Sequence, residues 1–247
     1  YTLHLSMLEI TLISLLFLFP VVDLFLNNKS ENKIVEYIKT AVILWTLTGF
    51  LIFCFFQGAL SVKHPFLFPA DQWVGYFAIF MFIAFFVYLK YIIVSINKNK
   101  EVKLYILKSL ENQNESIKEM LPESRKEFIL FTLLLSVTAG ICEELIFRWY
   151  LYSFVEVQVN WIVGILVSSC VFGFWHLYLG WKHVIKTAFI GIFLCSIYLY
   201  FESIFVVIIT HILMDVYSGT IAYHSKKAAS DPAHPSILTH FPASRSL

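Results

Sequence analysis

Three hydrophobic stretches of this sequence carry ionisable side chains that could perform acid–base chemistry. Charged groups at bilayer depth are costly, so wherever they occur they are candidates for a functional role. Some charged groups, such as Glu9, Asp23 and Lys90, lie near the ends of apolar stretches, where they can reach the membrane surface. The others are concentrated in the second half of the chain. In chain order they are Glu143, Glu144, Arg148, His176, His211 and Asp215.

Helical spacing brings two pairs of these side chains together. Glu144 and Arg148 are four residues apart, so they share one helix face and can form an ion pair. Glu143 lies about 100° further round the same helix and is left for another task. His211 and Asp215 are also four residues apart and can face the same cavity.

Activation of a water molecule is the chemistry that suits this set. A carboxylate in an apolar site is a usable general base, and a histidine opposite it can orient the water and protonate a leaving amine. A second histidine can donate to the oxyanion that develops on an attacked carbonyl. Glu143, His176 and His211 fill these three roles from separate helices. Asp215 donates only if protonated and orients His211 if ionised, while Phe172 lies one turn before His176 and can pack against its ring.

The composition indicates which elements must position these side chains. Hydrophobic residues make up 59% of the 247 residues and charged residues 14%, against about 25% charged in soluble domains. Because backbone polar groups in lipid must be satisfied within the segment, apolar spans without strand alternation are helices. We therefore predict an all-α, polytopic transmembrane bundle with a central polar cavity. It has about seven spans, at residues 7–26, 40–60, 73–95, 127–152, 160–179, 184–200 and 203–223.

The distribution of basic residues predicts the orientation. Of the 18 basic residues, 15 fall in four segments that seven spans place on one side of the membrane. The positive-inside rule then puts the N-terminus outside and the C-terminus in the cytoplasm. The predicted divisions are 1–96 for three N-terminal helices, 97–126 for a charged, partly helical cytoplasmic connector, 127–223 for a four-helix catalytic core, and 224–247 for a disordered polar tail.

Other features exclude several classes of function. The net charge of +1 and the lack of a basic patch with interleaved aromatics argue against nucleic acid as a partner. The four cysteines lie in apolar segments and form no CxxC pair, so we expect neither a disulfide framework nor a zinc knuckle. We expect no cofactor and no metal; the expected partners are the bilayer and a membrane-associated peptide or protein substrate.

The motifs EExxxR, FxxxH and HxxxD, in that order and on separate spans, resemble those of the CPBP family of CAAX proteases and bacteriocin-processing enzymes, also called the Abi family. The resemblance covers about residues 120–223. The enzymes of this family are similar to the type II CAAX prenyl endopeptidase. It implies an intramembrane glutamic endopeptidase in which Glu143 is the water-activating base and His176 its partner. It also implies that Glu144 and Arg148 support the site, and that the last motif forms the oxyanion side.

Two positions depart from the family pattern. Trp149 follows the arginine where many relatives have glycine, and Asp215 ends the last motif where the CAAX-type enzymes have asparagine. The aspartate favours the bacterial branch and leaves the role of that position open. The substrate is open as well: CAAX-type, bacteriocin, pheromone and leader-peptide processing are all compatible with the motifs.

Three other functions remain as alternatives. A zinc peptidase would use Glu143, His176 and His211 as ligands, although the sequence contains no HExxH. A proton-coupled transporter would use the buried carboxylates as a relay, but no internal repeat is present. A non-catalytic bacteriocin-immunity or partner-binding membrane protein would retain the same residues for folding.

Overall fold

The computed structural model describes residues 6–26 and 32–229, and within these ranges all regular structure is helical. The longer helices are those with the most apolar composition, and the two short ones lie in the charged connector. The helices are α1 Met7–Leu26, α2 Lys33–Phe56, α3 Gln72–Lys98, α4 Lys100–Glu111, α5 Glu115–Met120, α6 Arg125–Gln158, α7 Trp161–Phe174, α8 Trp181–Phe201 and α9 Ile204–Ala229.

Seven of these helices account for the predicted spans. Five of them, α2, α3, α6, α8 and α9, are long and apolar enough to cross a membrane, and α1 and α7 contribute shorter apolar segments. The prediction of an all-α transmembrane bundle is therefore confirmed. The predicted connector contains α4 and α5, and α6 ends at Gln158, two residues before Asn160, the N-cap of α7.

Polar residues with short side chains begin most of the helices. Each accepts a hydrogen bond from a backbone N–H of the first turn, which satisfies a donor that has no partner within the helix. At the start of α6 the cap is a full capping box, in which Ser124 and Glu127 each accept from the backbone of the other. The N-caps are Asn32, Asp71, Asn99, Asn114, Ser124 and Asn160.

The structure corrects several of the predicted boundaries. α2 begins seven residues before the predicted position 40, because Asn32 caps it there, and it ends at Phe56 shortly before Gly58 adopts a φ of +65°. α7 ends at Phe174 and not at 179. α9 continues to Ala229, six residues into the predicted tail, and the remaining tail residues 230–247 lie outside the described residues.

The segment 57–71 between α2 and α3 packs over the end of the bundle where α6 finishes and α9 begins. Trp149 Nε1 donates to Lys63 O at 2.8 Å. Ser203 Oγ donates to Leu67 O at 2.7 Å, and the Ile204 N–H donates to Phe66 O at 2.7 Å. These bonds satisfy donors at the start of α9 and fix the segment across the bundle end.

Glu9 is a buried charge that the sequence suggested would reach the membrane surface. Its side chain is instead 1% exposed and accepts hydrogen bonds from the Ser61 N–H at 2.9 Å and from Ser61 Oγ at 2.7 Å. The carboxylate therefore satisfies the backbone of segment 57–71 and does not extend to solvent.

Contacts at the opposite end bring the connector together with two other helix ends. Glu123 Oε1 accepts from Lys226 Nζ at 2.8 Å and from Lys33 Nζ at 2.9 Å. The hydrogen bond from Lys226, with that from Lys33, holds the pKa of the Glu123 carboxyl below its usual value. The start of α2, the connector and the end of α9 thus share one side of the bundle, as the seven-span arrangement requires.

α6 is the central helix of the bundle. Of its most apolar stretch 61% is buried, against 11% for α3, which lies at the periphery. At Gly140, α6 passes so close to α9 that a Cβ would collide with the Ile212 side chain and lie 3.2 Å from Ile208 O. A glycine is required at this crossing, and the close approach places the next two turns of α6 against α9.

Candidate active site

α6 widens into a π-helical turn over Leu145–Leu151, directly after Glu143 and Glu144. Such turns inside an α-helix often occur at functional sites, where they re-aim side chains. The turn contains Arg148, whose Nη1 lies 2.9 Å from Glu144 Oε1. The predicted ion pair between Glu144 and Arg148 is therefore present.

Arg148 is held by more than its carboxylate partner. The guanidinium lies 4.3 Å from the centroid of the Phe172 ring, and Nη2 is 3.5 Å from the carbonyl oxygen of Gly191. Both Arg148 and Glu144 are almost fully buried, at 1% and 0% exposed. Buried ions are stable only when they are paired and hydrogen-bonded, and this pair meets that condition through three different helices.

His211, on α9, is the side chain on which the carboxyl groups of the site converge. Its Nδ1 lies 2.5 Å from Glu144 Oε1, so the Nδ1–H donates to that carboxylate. Its Nε2 lies 3.9 Å from Glu143 Oε2 and 3.8 Å from Asp215 Oδ2. His211 and Asp215 thus lie side by side, as their spacing predicted. That both glutamates of α6 also flank His211 was not predicted.

His176 lies just beyond α7, in a tight turn, although the sequence predicted it inside the fifth span. Its N–H donates to Gly173 O, and its carbonyl accepts from the Leu179 N–H, each at 3.0 Å. The ring Nδ1 lies 2.9 Å from the carbonyl oxygen of Phe172. Because a carbonyl can only accept, Nδ1 carries the hydrogen, and the lone pair of neutral His176 is on Nε2.

Phe172 connects the two histidines and the arginine. Its ring centroid is 5.0 Å from that of His176 and 6.0 Å from that of His211, in edge-on geometry. With Arg148 against the same ring, Phe172 determines how these groups are spaced. The predicted packing of Phe172 against His176 is present.

Glu143 and His176 do not touch. The sequence suggested that they would meet on antiparallel neighbours, but in the part of the chain that the structure describes no hydrogen bond or ion pair joins them. Glu143 instead faces His211. The physical reason is that α7 ends before His176, so this histidine follows the turn and not the helix face that opposes α6.

Two residues near His176 were not singled out by the sequence. The ring of Tyr178 stacks at 6.3 Å from that of His176, and His183 lies at 6.1 Å. His183 lies in the short segment between the predicted spans 160–179 and 184–200, where side chains are ordinarily solvated. No sequence pattern marks either residue, since both reach His176 only through the turn.

Two carboxylate oxygens of the site have no hydrogen-bond partner among the described residues. They are Glu143 Oε2 and Glu144 Oε2, and both are buried. A buried acceptor that no protein donor satisfies is poised to accept from a water molecule or a substrate. Among the described residues no arginine or lysine pairs with Glu143, whose partner is His211 Nε2 at 3.9 Å.

Other candidate ligands and nucleophiles do not assemble in this region. Within residues 6–26 and 32–229, no group of three or more His, Cys, Asp or Glu side chains is arranged to hold a metal ion. The four cysteines are unpaired, with Cys170 exposed and the other three buried.

Comparison with protein families identifies the region that carries the site. A family model described as type II CAAX prenyl endopeptidase, Rce1-like, matches residues 125–217, which include every side chain of the site described above. Over these residues the chain is similar to the type II CAAX prenyl endopeptidases. No curated protein and no solved structure matches. Together with the apolar helices, the match identifies a multi-pass membrane protein and supports, at the level of the family, a CAAX-type intramembrane protease.

Proposed function

We propose that this protein is a metal-independent intramembrane endopeptidase in which Glu143 activates water to hydrolyse a peptide bond near the end of a membrane-associated peptide or protein. The observation that supports this proposal most is the buried Glu143 carboxylate, whose Oε2 has no protein hydrogen bond and faces His211 Nε2 at 3.9 Å. That distance is too long for a direct hydrogen bond and is suited to a water molecule that contacts both groups.

The charges around Glu143 are consistent with a base that gains a proton. Arg148 and an imidazolium at His211 supply two positive charges against the three carboxyl groups of Glu143, Glu144 and Asp215. Glu144 Oε1 contacts both cations, at 2.9 Å from Arg148 Nη1 and 2.5 Å from His211 Nδ1. When Glu143 takes a proton from water, the charges of the cluster balance, and the negative charge moves to the attacked substrate.

His211 is suited to stabilise that negative charge. Its Nδ1–H is committed to Glu144, so Nε2 is the nitrogen that points toward Glu143 and the reacting water. As the water oxygen bonds to the carbonyl carbon, the carbonyl electron pair moves to oxygen, and a proton on Nε2 donates to the oxyanion. Asp215 Oδ2 lies 3.8 Å from Nε2, where a carboxylate can orient the ring.

His176 is suited to deliver the last proton. The Phe172 carbonyl fixes its hydrogen on Nδ1, so Nε2 can accept a proton that began on the water and pass it to the amine as the C–N bond breaks. Because His176 does not contact Glu143, the substrate amide or a water lies between them in this scheme. Its separation from the base is compatible with a role in the second half of the reaction.

The orientation follows from the distribution of charge. The connector, the start of α2 and the end of α9 meet at the side that carries Lys33, Lys226 and most other basic residues. We place that side in the cytoplasm and the N-terminus outside. The substrate class extends to CAAX-type proteins and to bacteriocin, pheromone or leader peptides.

The test is cleavage by the purified protein in proteoliposomes, using a panel of membrane-associated peptides with and without a prenyl group. Glu143→Ala and His176→Ala should abolish cleavage, and Glu156→Gln, a change of an exposed carboxylate on the same helix, should leave it intact. Retained cleavage by both site variants would refute the mechanism. Loss of activity on chelation, restored by zinc, would favour a zinc peptidase. If a cellular protective function survived both changes, the non-catalytic immunity function would be favoured.

A further inference from the structure

We propose that Asn114, in the connector between α4 and α5, is a positioning residue for His176. The proposal rests on the proposed function, since it gives a connector residue a role in the same reaction. Asn114 lies outside the segment 125–217 that the family model matches. Asn114 would therefore contribute a contact to the site from outside the matched segment.

The contact joins distant parts of the chain. Asn114 Nδ2 donates to the carbonyl oxygen of Leu179 at 2.8 Å, across 65 residues of sequence. The Leu179 side chain is almost fully buried, at 2% exposed, so this residue is fixed in the bundle on one side and bonded to the connector on the other. Asn114 is thus placed to determine the position of the backbone at Leu179.

The backbone at Leu179 is coupled to His176 through a turn with little freedom. The Leu179 N–H donates to His176 O at 3.0 Å, and the Gly180 N–H donates to Leu177 O at 2.8 Å. Gly180 has a φ of +91°, which other residues rarely adopt, and a Cβ there would lie 3.3 Å from Asn114 Nδ2. A shift of Leu179 O therefore moves the turn that carries the His176 ring.

Asn114 is itself held in place. Its Oδ1 accepts from the Ser116 N–H at 3.4 Å, which caps α5. At the other end of α5, Met120 O accepts from Tyr37 OH at 2.6 Å, and Met120 Sδ contacts Tyr178 OH at 3.6 Å. The connector is therefore attached both to α2 and to the turn that contains His176.

Two variants separate the two hydrogen bonds of Asn114. Asn114→Asp keeps an oxygen that can cap α5, because aspartate is as good an N-cap as asparagine. It removes the donor to Leu179 and places a carboxylate beside that carbonyl. Asn114→Ala removes both bonds. The matched control is Gln113→Ala, since among the described residues the Gln113 side chain hydrogen-bonds Ser109 O alone, within the connector.

Kinetics in proteoliposomes supply the first measurement, with a quenched fluorescent peptide that wild type cleaves and Glu143→Ala does not. A lost hydrogen bond is worth about 1 kcal/mol, or roughly fivefold in rate. We expect Asn114→Asp to lower kcat about fivefold to tenfold with KM within about twofold, because the turn is displaced and the substrate site is not. Asn114→Ala should match it, and Gln113→Ala should resemble wild type.

The second measurement reads His176 without any substrate. In protein labelled with 13C-histidine, the ring signal of His176 is assigned by its loss in His176→Gln. We expect this signal to shift in Asn114→Asp and to stay in place in Gln113→Ala. An unmoved signal overturns the proposal, whatever kcat does, as does a shifted signal with unchanged kcat. If wild type cleaves no peptide of the panel, the proposed function fails, and the histidine signal alone decides whether Asn114 positions the ring.

Discussion

Arg148 gives the most demanding test of the geometry, because its charge is almost fully buried. Replacing it with methionine keeps an apolar side chain of similar length but removes the guanidinium 2.9 Å from Glu144. In this variant the Glu144 carboxylate keeps His211 as its remaining cationic partner. Glu144 then lies next to the carboxyl group of Glu143 without the guanidinium. Breaking a buried ion pair from one side costs about 3–5 kcal/mol, and we expect Arg148→Met to lie in this range.

The double variant measures the pair itself. Glu144→Gln alone leaves the Arg148 guanidinium buried against Phe172 and Gly191 without a counter-charge. Glu144→Gln with Arg148→Met removes both charges, so it should lose at least about 2 kcal/mol less than the sum of the single changes. Unfolding in mixed micelles by sodium dodecyl sulfate, followed by tryptophan fluorescence, gives the three free energies. Additivity within about 0.5 kcal/mol would refute the coupling that the structure implies.

Three further predictions concern the bundle around the site. Because the hydrogen bonds from Lys226 and Lys33 lower the pKa of Glu123, the stabilisation by this carboxylate is complete above the ordinary value of 4.5 and is lost as the pH falls through the lower folded value. Glu123→Gln should thus unfold more easily than wild type at pH 7, by less than about 1 kcal/mol since the pair is half exposed, and this deficit should shrink toward pH 3; a constant deficit would contradict the assignment. Gly140→Ala should separate α6 from α9, costing about 1–3 kcal/mol in the same unfolding assay and most of the peptidase activity, and an unchanged midpoint would contradict the close crossing. In a cysteine-free background, a cysteine at Lys63 should react with an impermeant maleimide in right-side-out vesicles and one at Lys108 should not; the reverse result would overturn the orientation.

The helical framework was predictable because its causes are local. Apolar length predicts the seven spans, and i to i+4 spacing predicts that Glu144 meets Arg148 and that His211 lies beside Asp215. The two partners of each contact lie on the same helix. The motif residues were also found from the sequence, because charge in an apolar span is conspicuous.

The contacts between helices were not predictable in the same way. His176 was expected to oppose Glu143, and the structure places it in a turn after α7, whose end no proline or helix-breaking run marks. His211 was expected to act on one side of the site, yet it contacts Glu144 most closely. That arrangement depends on the crossing at Gly140, where the cause lies in a neighbouring helix and not in the local sequence.

Two polar residues outside the motifs also make contacts that the sequence did not predict. Glu9 lies near a span end, where a carboxylate ordinarily reaches water, but here it bonds to Ser61 on a segment that folds back over the bundle. Asn114 is one of several polar residues in a charged connector, and only the position of Leu179 distinguishes it. Long-range packing, which single-sequence patterns do not encode, determines both.

The central claim is that Glu143 is the base, and the most direct measurement compares single-turnover cleavage by Glu143→Gln and wild type at saturating enzyme in the same vesicles. Glutamine keeps the shape of the side chain and removes its ability to accept a proton from water. General-base catalysis contributes about 10²–10⁴-fold, so the cleavage rate should fall at least about 100-fold while the affinity for the peptide stays within about twofold. A variant that cleaves within about fivefold of wild type would contradict the assignment of Glu143 as the water-activating group.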